Sequence, residues 1–299
     1  MTVLSVVLAN YNHAHFLPEA LDAILSQSVD SMEVLILDDA STDNSIEVIK
    51  EYQKRFPQIR LIAREKNGGP IIAANQGIGE SKGKYIATCS ADDKVLPGFF
   101  KECIEMLERF PKAALCTTNF CCFTEGETKK FAERGLIHVK QPCFLEPQDI
   151  IKAIKKYDFW IPGNGSIFRK SSLLEAGLLR QDLKALCDWF LNTTVAIRHG
   201  ICYIPRPLAS FRIVKNSYSS KSPQALLYDA LFNILEEPQL QDMKKAFFAS
   251  GMVFQLDKAI FSYIRNKQGL KKYYPRIVIQ KLIRKLFRNR YKRMLQEVV

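Results

Sequence analysis

The sequence predicts an α/β fold in which a mostly parallel sheet is flanked by helices. Over residues 1–100, short apolar runs of strand length alternate with segments of helical periodicity. Two of these runs end in adjacent carboxylates, at Asp38-Asp39 and at Asp92-Asp93. The segments between the runs are long enough for the crossover helix that joins parallel strands. The pattern therefore indicates repeated strand–helix–strand units.

The N-terminal elements follow in order from these patterns. Apolar runs, typical of buried strands, occur at 3–9, 34–37 and 85–88, and residues 59–63 also predict a strand. The first helix is expected after residue 13. The second is expected after Ser41-Thr42-Asp43, whose side chains suit a helix cap, and the third over Ala73–Gly79. Residues 67–70 predict a turn before the third helix.

The remaining chain continues the alternation less regularly. We expect a helix over 99–110, a strand over 113–118, a loop over 124–148, a strand over 166–169 and a helix over 183–198. From residue 223 onward the periodicity is helical. The predicted parts of the chain are therefore 1–97, 98–222 and a helical C-terminal extension over 223–299.

Composition narrows the class of protein. The 299 residues are 47% apolar, which is enough for a large core. Because no run of 18 uncharged apolar residues occurs, we expect no membrane-spanning helix. The eight cysteines lack zinc-finger spacing, so we expect buried thiols and a cytoplasmic location.

The two carboxylate pairs carry the strongest chemical signal. In open α/β sheets, ligands bind beyond the carboxyl ends of the strands, where both pairs are expected. Adjacent carboxylates are costly to hold together unless a cation or hydrogen-bond donors meet them. Oxygen ligands of this kind suit Mg²⁺ or Mn²⁺. This edge of the sheet therefore indicates an enzyme that handles a phosphorylated ligand through a metal ion.

Four segments in order, 3–12, 35–43, 67–69 and 83–93, resemble the N-terminal half of the family 2 glycosyltransferases. The resemblance is weaker over 160–220 and does not reach 223–299. It implies the GT-A fold, a Rossmann-like mostly parallel sheet flanked by helices. It also implies inverting, metal-dependent transfer of a sugar from a nucleotide-sugar to an acceptor hydroxyl, with Mn²⁺ or Mg²⁺ as cofactor. The implied sugar donor is a UDP-sugar first and a dTDP-sugar second.

The resemblance implies a nucleotide site at the ends of the first two strands. Ala9, Asn10 and Tyr11 would receive the base, and the Tyr11 ring is available for stacking. Asp39 would accept the ring N–H of uracil or thymine, which cytosine lacks, because a carboxylate only accepts hydrogen bonds. A cap for the following helix is the alternative role of Asp39. The resemblance assigns Asn67 to the same site.

The resemblance assigns the metal ion to Asp93 and a contact with the nucleotide to Asp92. The chain departs from the family pattern at Ser90, where a further Asp is common, and at Ala74, where an Arg is common. The first departure leaves one carboxylate fewer for the metal. The second means that the diphosphate needs positive charge from another residue. Candidate cations for the diphosphate are Arg64, Lys66, Arg212 and Lys215.

The resemblance places the reacting hydroxyl near Asp188, which matches the general base of the family and must lie within hydrogen-bond reach of that hydroxyl. Helix capping is the alternative role of Asp188, because Cys187 stands where Glu is frequent. Trp160, Asn164 and Trp189 would border the acceptor, a glycan or a lipid-linked glycan. Core packing is the alternative for Trp160.

The C-terminal segment is strongly basic. Residues 261–299 hold twelve Lys or Arg and one acidic residue, whereas residues 1–260 hold 31 basic and 30 acidic residues. Within residues 276–295, cations fall on one helical face and bulky apolar residues on the other. This pattern favours a peripheral location on an anionic inner membrane surface. Simple packing against the body and nucleic-acid binding are the alternatives.

The sequence leaves two other classes of function open beside the enzyme. One is a catalytically silent nucleotide-sugar-binding protein. The other is a basic nucleic-acid-binding protein, for which the C-terminal charge is the only support.

Overall fold

The computed structural model of the chain describes residues 3–27, 29, 31–124, 131–134, 136, 139–157, 159–213, 224–250, 252, 259–275 and 277–279. One sheet of ten strands forms its centre. The strands are β1 Leu4–Asn10, β2 Met32–Asp38, β3 Ile59–Ala63, β4 Tyr85–Ser90, β5 Lys94–Val95, β6 Leu115–Phe123, β7 Phe131–Arg134, β8 Cys143–Leu145, β9 Ser166–Arg169 and β10 Ile201–Arg212.

The order of strands across the sheet is β3-β2-β1-β4-β9-β6-β10-β5, with β7 beside β6 and β8 beside β10. Strands β1 to β4 are parallel, as the sequence predicts. Strand β9 runs antiparallel to both β4 and β6, so the second half of the sheet is mixed. The α/β fold class is confirmed, and its parallel character belongs mainly to the N-terminal strands.

Helices cover both faces of this sheet. They are α1 Leu17–Leu25, α2 Ser45–Arg55, α3 Pro70–Glu80, α4 Phe99–Arg109, α5 Pro147–Tyr157, α6 Lys170–Glu175, α7 Cys187–His199, α8 Gln224–Ile234, α9 Gln241–Ser250 and α10 Ala259–Asn266. Helices α1, α2 and α4 share one core with the sheet, and α3, α5, α7 and the C-terminal helices share the other. The carboxyl ends of β1, β2 and β4 meet at one edge between these layers.

Helix α3 approaches the sheet closely because it has no side chain at Gly77. A Cβ at this position would stand 2.4 Å from Val7 Cγ1 and 2.6 Å from Leu37 Cδ2. Both partners lie in the buried centre of β1 and β2. The helix therefore sits at a fixed height above the sheet, and its N-terminal end at Gly69 lies beside the carboxyl end of β2.

The middle of the chain differs from the prediction in two places. Residues 124–148 contain strands β7 and β8 and the start of helix α5, where a loop was expected. The expected single helix over 183–198 is a 3-10 turn, Gln181–Leu186, followed by α7. Lys184 has a φ of 42° there, and this left-handed backbone interrupts the helix.

Strand β10 was absent from the prediction and is the longest strand of the described sheet. Its register against β6 shifts on both sides of Pro207. Proline cannot donate to a strand ladder, so two prolines close together, Pro205 and Pro207, argue against a central strand in the sequence. The shift in register accommodates them, and β10 continues to the Asp92-Asp93 turn.

The expected helical character of the C-terminal part is confirmed over its described residues. Leu231, Phe247 and Ile264 are buried in the same core as α7, so these helices pack on the body. Within the described ranges, no helix combines the length and the apolar character that crossing a bilayer requires. Of the amphipathic segment 276–295, only residues 277–279 lie among the described residues.

Candidate active site

Asp38 is the structural member of the first carboxylate pair. Its side chain is buried and accepts hydrogen bonds from Asn10 Nδ2 at 2.7 Å and from the backbone N–H and hydroxyl of Ser41 at 2.9 and 2.7 Å. These donors tie the end of β2 to the end of β1. Neutral hydrogen-bond donors therefore meet the first of the two adjacent carboxylates.

Asp39 faces the turn that precedes α3. Its Oδ1 accepts hydrogen bonds from the Arg64 guanidinium and from the Gly68 N–H at 3.0 Å, and its Oδ2 accepts from the Gly69 N–H at 2.7 Å. A carboxylate offers about four lone-pair positions. Three are occupied, so Oδ2 of this buried residue keeps one position for a ligand.

Two expectations about this region are corrected. Arg64 was a candidate cation for the diphosphate, but its guanidinium pairs with Asp39 and its side chain is only 18% exposed. Asp39 was an alternative cap for α2, but Asp43 fills that role by accepting the Ser45 N–H at 3.0 Å. Asp39 instead stabilises the turn before the next helix, α3.

The other residues predicted for the nucleotide lie around Asp39. Tyr11 is 44% exposed, which leaves its ring accessible for stacking. Ala9 and Asn10 end β1, and Asn10 Oδ1 is buried without a hydrogen-bond partner. Asn67 is exposed, and its Oδ1 accepts the Gly69 N–H at 3.1 Å.

Asp93 is the member of the second carboxylate pair whose carboxylate is held by hydrogen bonds. Its Oδ1 accepts the backbone N–H of Arg212 at 2.7 Å, and its Oδ2 accepts Asn164 Nδ2 at 2.8 Å. Burial, and then the neighbouring Asp92 carboxylate, raise the pKa of Asp93 from 3.8 to about 7. The pair is therefore short of positive charge in the described structure.

Arg212 supports the Asp92-Asp93 turn from outside. Its guanidinium lies 4.4 Å from the ring centre of Phe16 and 4.5 Å from that of Phe123. Its Nε donates to the Asp92 carbonyl at 2.9 Å. At 7% exposure and in a salt bridge, this side chain is engaged, which corrects its assignment as a cation for the diphosphate.

The salt-bridge partner of Arg212 is Glu19 in the first turn of α1, which also pairs with Lys94. Glu19 thus links α1 to both β10 and β5. This contact was missed because Glu19 and Arg212 are 193 positions apart and neither belongs to a motif with Asp93. Lys215, the other predicted cation of this segment, lies outside the described residues.

Asp188 lies in the first turn of α7, where the helix dipole favours a carboxylate. Its Oδ1 accepts the Trp189 N–H at 2.7 Å, a contact that agrees with the capping alternative. Burial raises the pKa of the Asp188 carboxyl. Asp188 also lines a small, mainly apolar cavity of about 60 Å³, together with Thr88 and Leu191.

One loop brings Asp93 and Asp188 to the same region. Asn164 donates to Asp93, while a Cβ on the adjacent Gly163 would stand 3.6 Å from Asp188 Oδ2. The loop is anchored because Asn192 Nδ2 donates to the Ile161 carbonyl at 3.1 Å. Asp93 and Asp188 therefore flank adjacent residues of one loop.

The residues predicted to border the acceptor differ in how exposed they are. Trp160 is 40% exposed and packs edge-on against Phe120, so it presents a ring to solvent. Trp189 is 4% exposed and packs against Phe247 of α9, which places it in the core and corrects its assignment to the acceptor. Asn164 is buried beside Asp93.

Solved structures share this architecture. TarS 1–349 of S. aureus in complex with UDP-GlcNAc aligns with a TM-score of 0.67 and 14% identity, covering 98% of this chain and 92% of that one. The mannosyltransferase PcManGT of Pyrobaculum calidifontis, in complex with GDP-Man and Mn²⁺, aligns with a TM-score of 0.53 and 16% identity, covering 94% and 86%. At such low identity these matches show the fold alone, and the fold is that of the GT-A glycosyltransferases.

The family follows from the sequence comparison. The model of glycosyl transferase family 2 matches residues 5–174, more than half of the chain, and the chain belongs to this family. An uncharacterized glycosyltransferase of Escherichia coli K12, YibD, is 35% identical over 126 residues, which are 42% of this chain and 36% of that protein. Chondroitin synthase of Pasteurella multocida is 34% identical over 118 residues, which are 39% and 12%. The matched segment thus spans about a third or less of these two relatives.

Proposed function

We propose that this protein transfers a sugar from a UDP-sugar, or secondarily a dTDP-sugar, to an acceptor hydroxyl with inversion at the anomeric carbon. The observation that carries the proposal is the loop at Gly163-Asn164, in which Gly163 lies beside Asp188 and Asn164 donates to Asp93. Single displacement needs a base at the attacking hydroxyl and charge stabilisation at the departing diphosphate. Asp188 and Asp93 supply these two functions from the two sides of one loop.

The choice of nucleotide rests on Asp39. The single lone-pair position that remains on its Oδ2 matches the one ring N–H of uracil or thymine. Guanine presents two adjacent donors on the corresponding edge, and cytosine presents no ring N–H there. Tyr11, exposed at the end of β1, offers a face for the base.

A divalent ion fits the residues around Asp93. Burial raises the pKa of Asp93 and the Arg212 charge offsets this rise only in part, while Asn164 Oδ1 beside it is buried without a partner among the described residues. Both are features of a site that accepts a hard cation. When bound, Mn²⁺ or Mg²⁺ would neutralise the charge of the leaving diphosphate. Asp93 would hold this ion, with Asp92 next to it.

The base would be Asp188. Burial raises its pKa, so its carboxylate is more basic than that of a free aspartate and better matched to removing a hydroxyl proton. The acceptor hydroxyl would approach beside Gly163, where no side chain blocks access to Asp188 Oδ2. Trp160, partly exposed on the same loop, would pack on a sugar face of the acceptor.

The decisive experiment uses Asp188→Asn, which keeps the shape of the side chain and removes the base. Sugar transfer and hydrolysis of the UDP-sugar should fall by about 10²-fold or more, and UDP affinity by calorimetry should stay within about twofold. Asp182→Asn is the matched control, because Asp182 is exposed in the preceding turn and pairs only with Arg180 among the described residues. A wild-type protein that binds UDP-sugars and turns none over would favour a silent binding protein.

The nucleotide and metal assignments have their own tests. Asp39→Ala should weaken UDP and dTDP alike and reduce discrimination against CDP, because the acceptor for the ring N–H is lost. UDP affinity should require Mn²⁺ or Mg²⁺, and Asp93→Ala should lower it more than Asp92→Ala. Unchanged UDP affinity in EDTA would remove the ion from substrate binding.

We propose that the acceptor is a glycan or lipid-linked glycan presented at the inner membrane surface, where the enzyme is peripheral. The amphipathic basic segment 276–295 supports this location, and relatives named as polysaccharide synthases support this class of acceptor. Each Lys or Arg near an anionic surface contributes about 1 kcal/mol. A few aligned cations would therefore hold the enzyme reversibly.

Co-sedimentation with anionic and neutral vesicles tests this location. The shortened chain should end after Ile279, because Leu270 and Ile277 are buried in the core. Full-length protein should bind anionic vesicles at low salt, and the shortened chain should not. A full-length variant with Lys281, Arg284 and Lys285 changed to Gln should bind weakly. Equal vesicle binding by the full-length protein, the shortened chain and the Gln variant would oppose a lipid-binding role for this segment. Displacement of the full-length protein from vesicles by RNA would favour nucleic-acid binding.

A further inference from the structure

The amide of Asn164 is held in one orientation beside the second carboxylate pair. Its Nδ2 donates to Asp93 Oδ2 at 2.8 Å. Turning the amide over would place its oxygen against the carboxylate oxygen, which is unfavourable because neither atom can donate. The carboxylate therefore fixes which end of the amide is the oxygen.

The oxygen of this amide is left without a partner. Asn164 is 8% exposed, and its Oδ1 is buried with no hydrogen bond in the described structure. A buried acceptor without a partner costs about 1–3 kcal/mol. The rest of the loop is satisfied, since Ser166 donates to the Pro162 carbonyl at 2.6 Å and Asn192 donates to the Ile161 carbonyl. An orphan oxygen in an otherwise satisfied loop indicates a site for a ligand.

The surroundings of this oxygen favour a cation. The other end of the amide bonds the Asp93 carboxylate, which also lies in the field of the Asp92 charge, and the guanidinium of Arg212 is engaged with Glu19 and the Asp92 carbonyl. Arg212 donates to Asp93 through its backbone N–H, and its guanidinium acts on the Asp93 charge through space. A bound cation would add positive charge in direct contact with the carboxylate pair.

The site also needs neutral oxygen atoms. Among the described residues, no group of three or more His, Cys, Asp or Glu side chains could hold a metal ion. Ser90 stands two positions before Asp92, so the chain offers only two adjacent carboxylates at this turn. Hard divalent ions accept amide carbonyl oxygens as ligands alongside carboxylates.

We propose that Asn164 Oδ1 is an oxygen ligand, beside the Asp93 carboxylate, of the divalent ion that accompanies the diphosphate of the sugar donor. The inference rests on the proposed function and deepens it. The amide has two tasks, because its nitrogen orients Asp93 and its oxygen binds the ion. Its connection to Gly163 then sets the distance between the ion and Asp188.

A change of metal preference tests direct ligation. In Asn164→Cys, a soft thiolate replaces a hard oxygen, which favours Cd²⁺ over Mn²⁺. Calorimetry in the presence of UDP should show Mn²⁺ affinity reduced at least tenfold and Cd²⁺ affinity equal to or above that of the wild type. Asn192→Cys is the matched control, because Asn192 contacts the same loop from the Asp188 side and should leave the Cd²⁺/Mn²⁺ ratio unchanged.

Three results would overturn the inference. They are unchanged Mn²⁺ affinity in Asn164→Cys, a loss of Mn²⁺ without a shift toward Cd²⁺, and the same shift in the control. If Asn164→Cys does not fold, Asn164→Asp decides, since it keeps an oxygen ligand and loses the donor to Asp93. It should bind Mn²⁺ within a few-fold of wild type, and a tenfold loss would assign Asn164 to positioning alone. UDP affinity of the wild type, measured separately, tests the proposed function.

Discussion

Replacing Asp93 with asparagine should stabilise the metal-free protein at neutral pH. Burial and Asp92 raise the pKa of Asp93 from 3.8 to about 7, so the folded protein holds this proton more tightly than the unfolded chain. The contribution of Asp93 to the free energy of unfolding is therefore greatest below pH 4 and is lost as the pH rises from 4 to 7. At 1.36 kcal/mol per unit, the loss approaches about 4 kcal/mol above pH 7.

An asparagine side chain at this position is neutral at every pH and escapes that loss. Its oxygen can still accept the Arg212 N–H. Its nitrogen would face Asn164, whose amide can turn over so that the orphan Oδ1 accepts the new N–H. The flip leaves the other end of the Asn164 amide without a partner among the described residues, now as an N–H in place of the oxygen. We therefore expect a gain of up to about 4 kcal/mol at pH 8 and little gain at pH 4.5.

Urea unfolding in EDTA at pH 4.5, 6 and 8, followed by tryptophan fluorescence, measures this gain. Asp92→Asn is the matched control and should change stability less, because the Asp92 carboxylate has no hydrogen bond or salt bridge among the described residues, whereas burial raises the pKa of Asp93. The reasoning is refuted if Asp93→Asn unfolds at lower urea than the wild type at pH 8. It is also refuted if the difference between the two is the same at every pH.

Three further predictions concern the residues around these carboxylates. Arg64→Met should lower the free energy of unfolding by about 1.5–3 kcal/mol and weaken UDP binding, because Asp39 loses its charged donor. Urea unfolding measures the stability and calorimetry measures the UDP affinity. Unchanged values of both would contradict this prediction. Arg212→Met should destabilise by about 2–4 kcal/mol in urea, and Glu19→Gln, at a half-exposed carboxylate, by less than about 1 kcal/mol. Because the base must be ionised, the rate of sugar transfer should fall as the pH decreases through the raised pKa of Asp188. A pH–rate profile whose acid limb lies at or below the ordinary aspartate pKa of 3.8 would exclude Asp188 as the base.

The sequence predicts those parts of the fold that rest on local patterns. Strands β1, β2 and β4 are mainly apolar runs that the sheet largely buries, whereas the edge strand β3 contains Arg60 and buries only Ile59. Adjacent carboxylates at the ends of β2 and β4 mark the edge that carries the candidate site. Strand β10 escaped prediction because Pro205 and Pro207 break the local signal, and only tertiary pairing with β6 restores it.

Contacts between distant residues could not be predicted in the same way. Arg64 is a free cation in the sequence, and its pairing with Asp39 depends on how the turn before α3 folds back. The Arg212–Glu19 salt bridge joins β10 to α1, and no spacing rule connects them. Trp189 follows Asp188 directly, yet the Trp189 ring is buried in the core whereas the Asp188 carboxyl lines the small cavity.

The close approach that Gly77 allows between α3 and the sheet has a consequence for the evolution of this protein. The N–H groups of Gly68 and Gly69 that hold Asp39 sit at the start of α3, two turns from Gly77. Any larger residue at 77 would lift the helix off Val7 and Leu37 and carry those two donors away from the carboxylate. If Asp39 binds the base as proposed, a substitution at Gly77 would change nucleotide preference from within the hydrophobic interior, two helical turns away from the carboxylate.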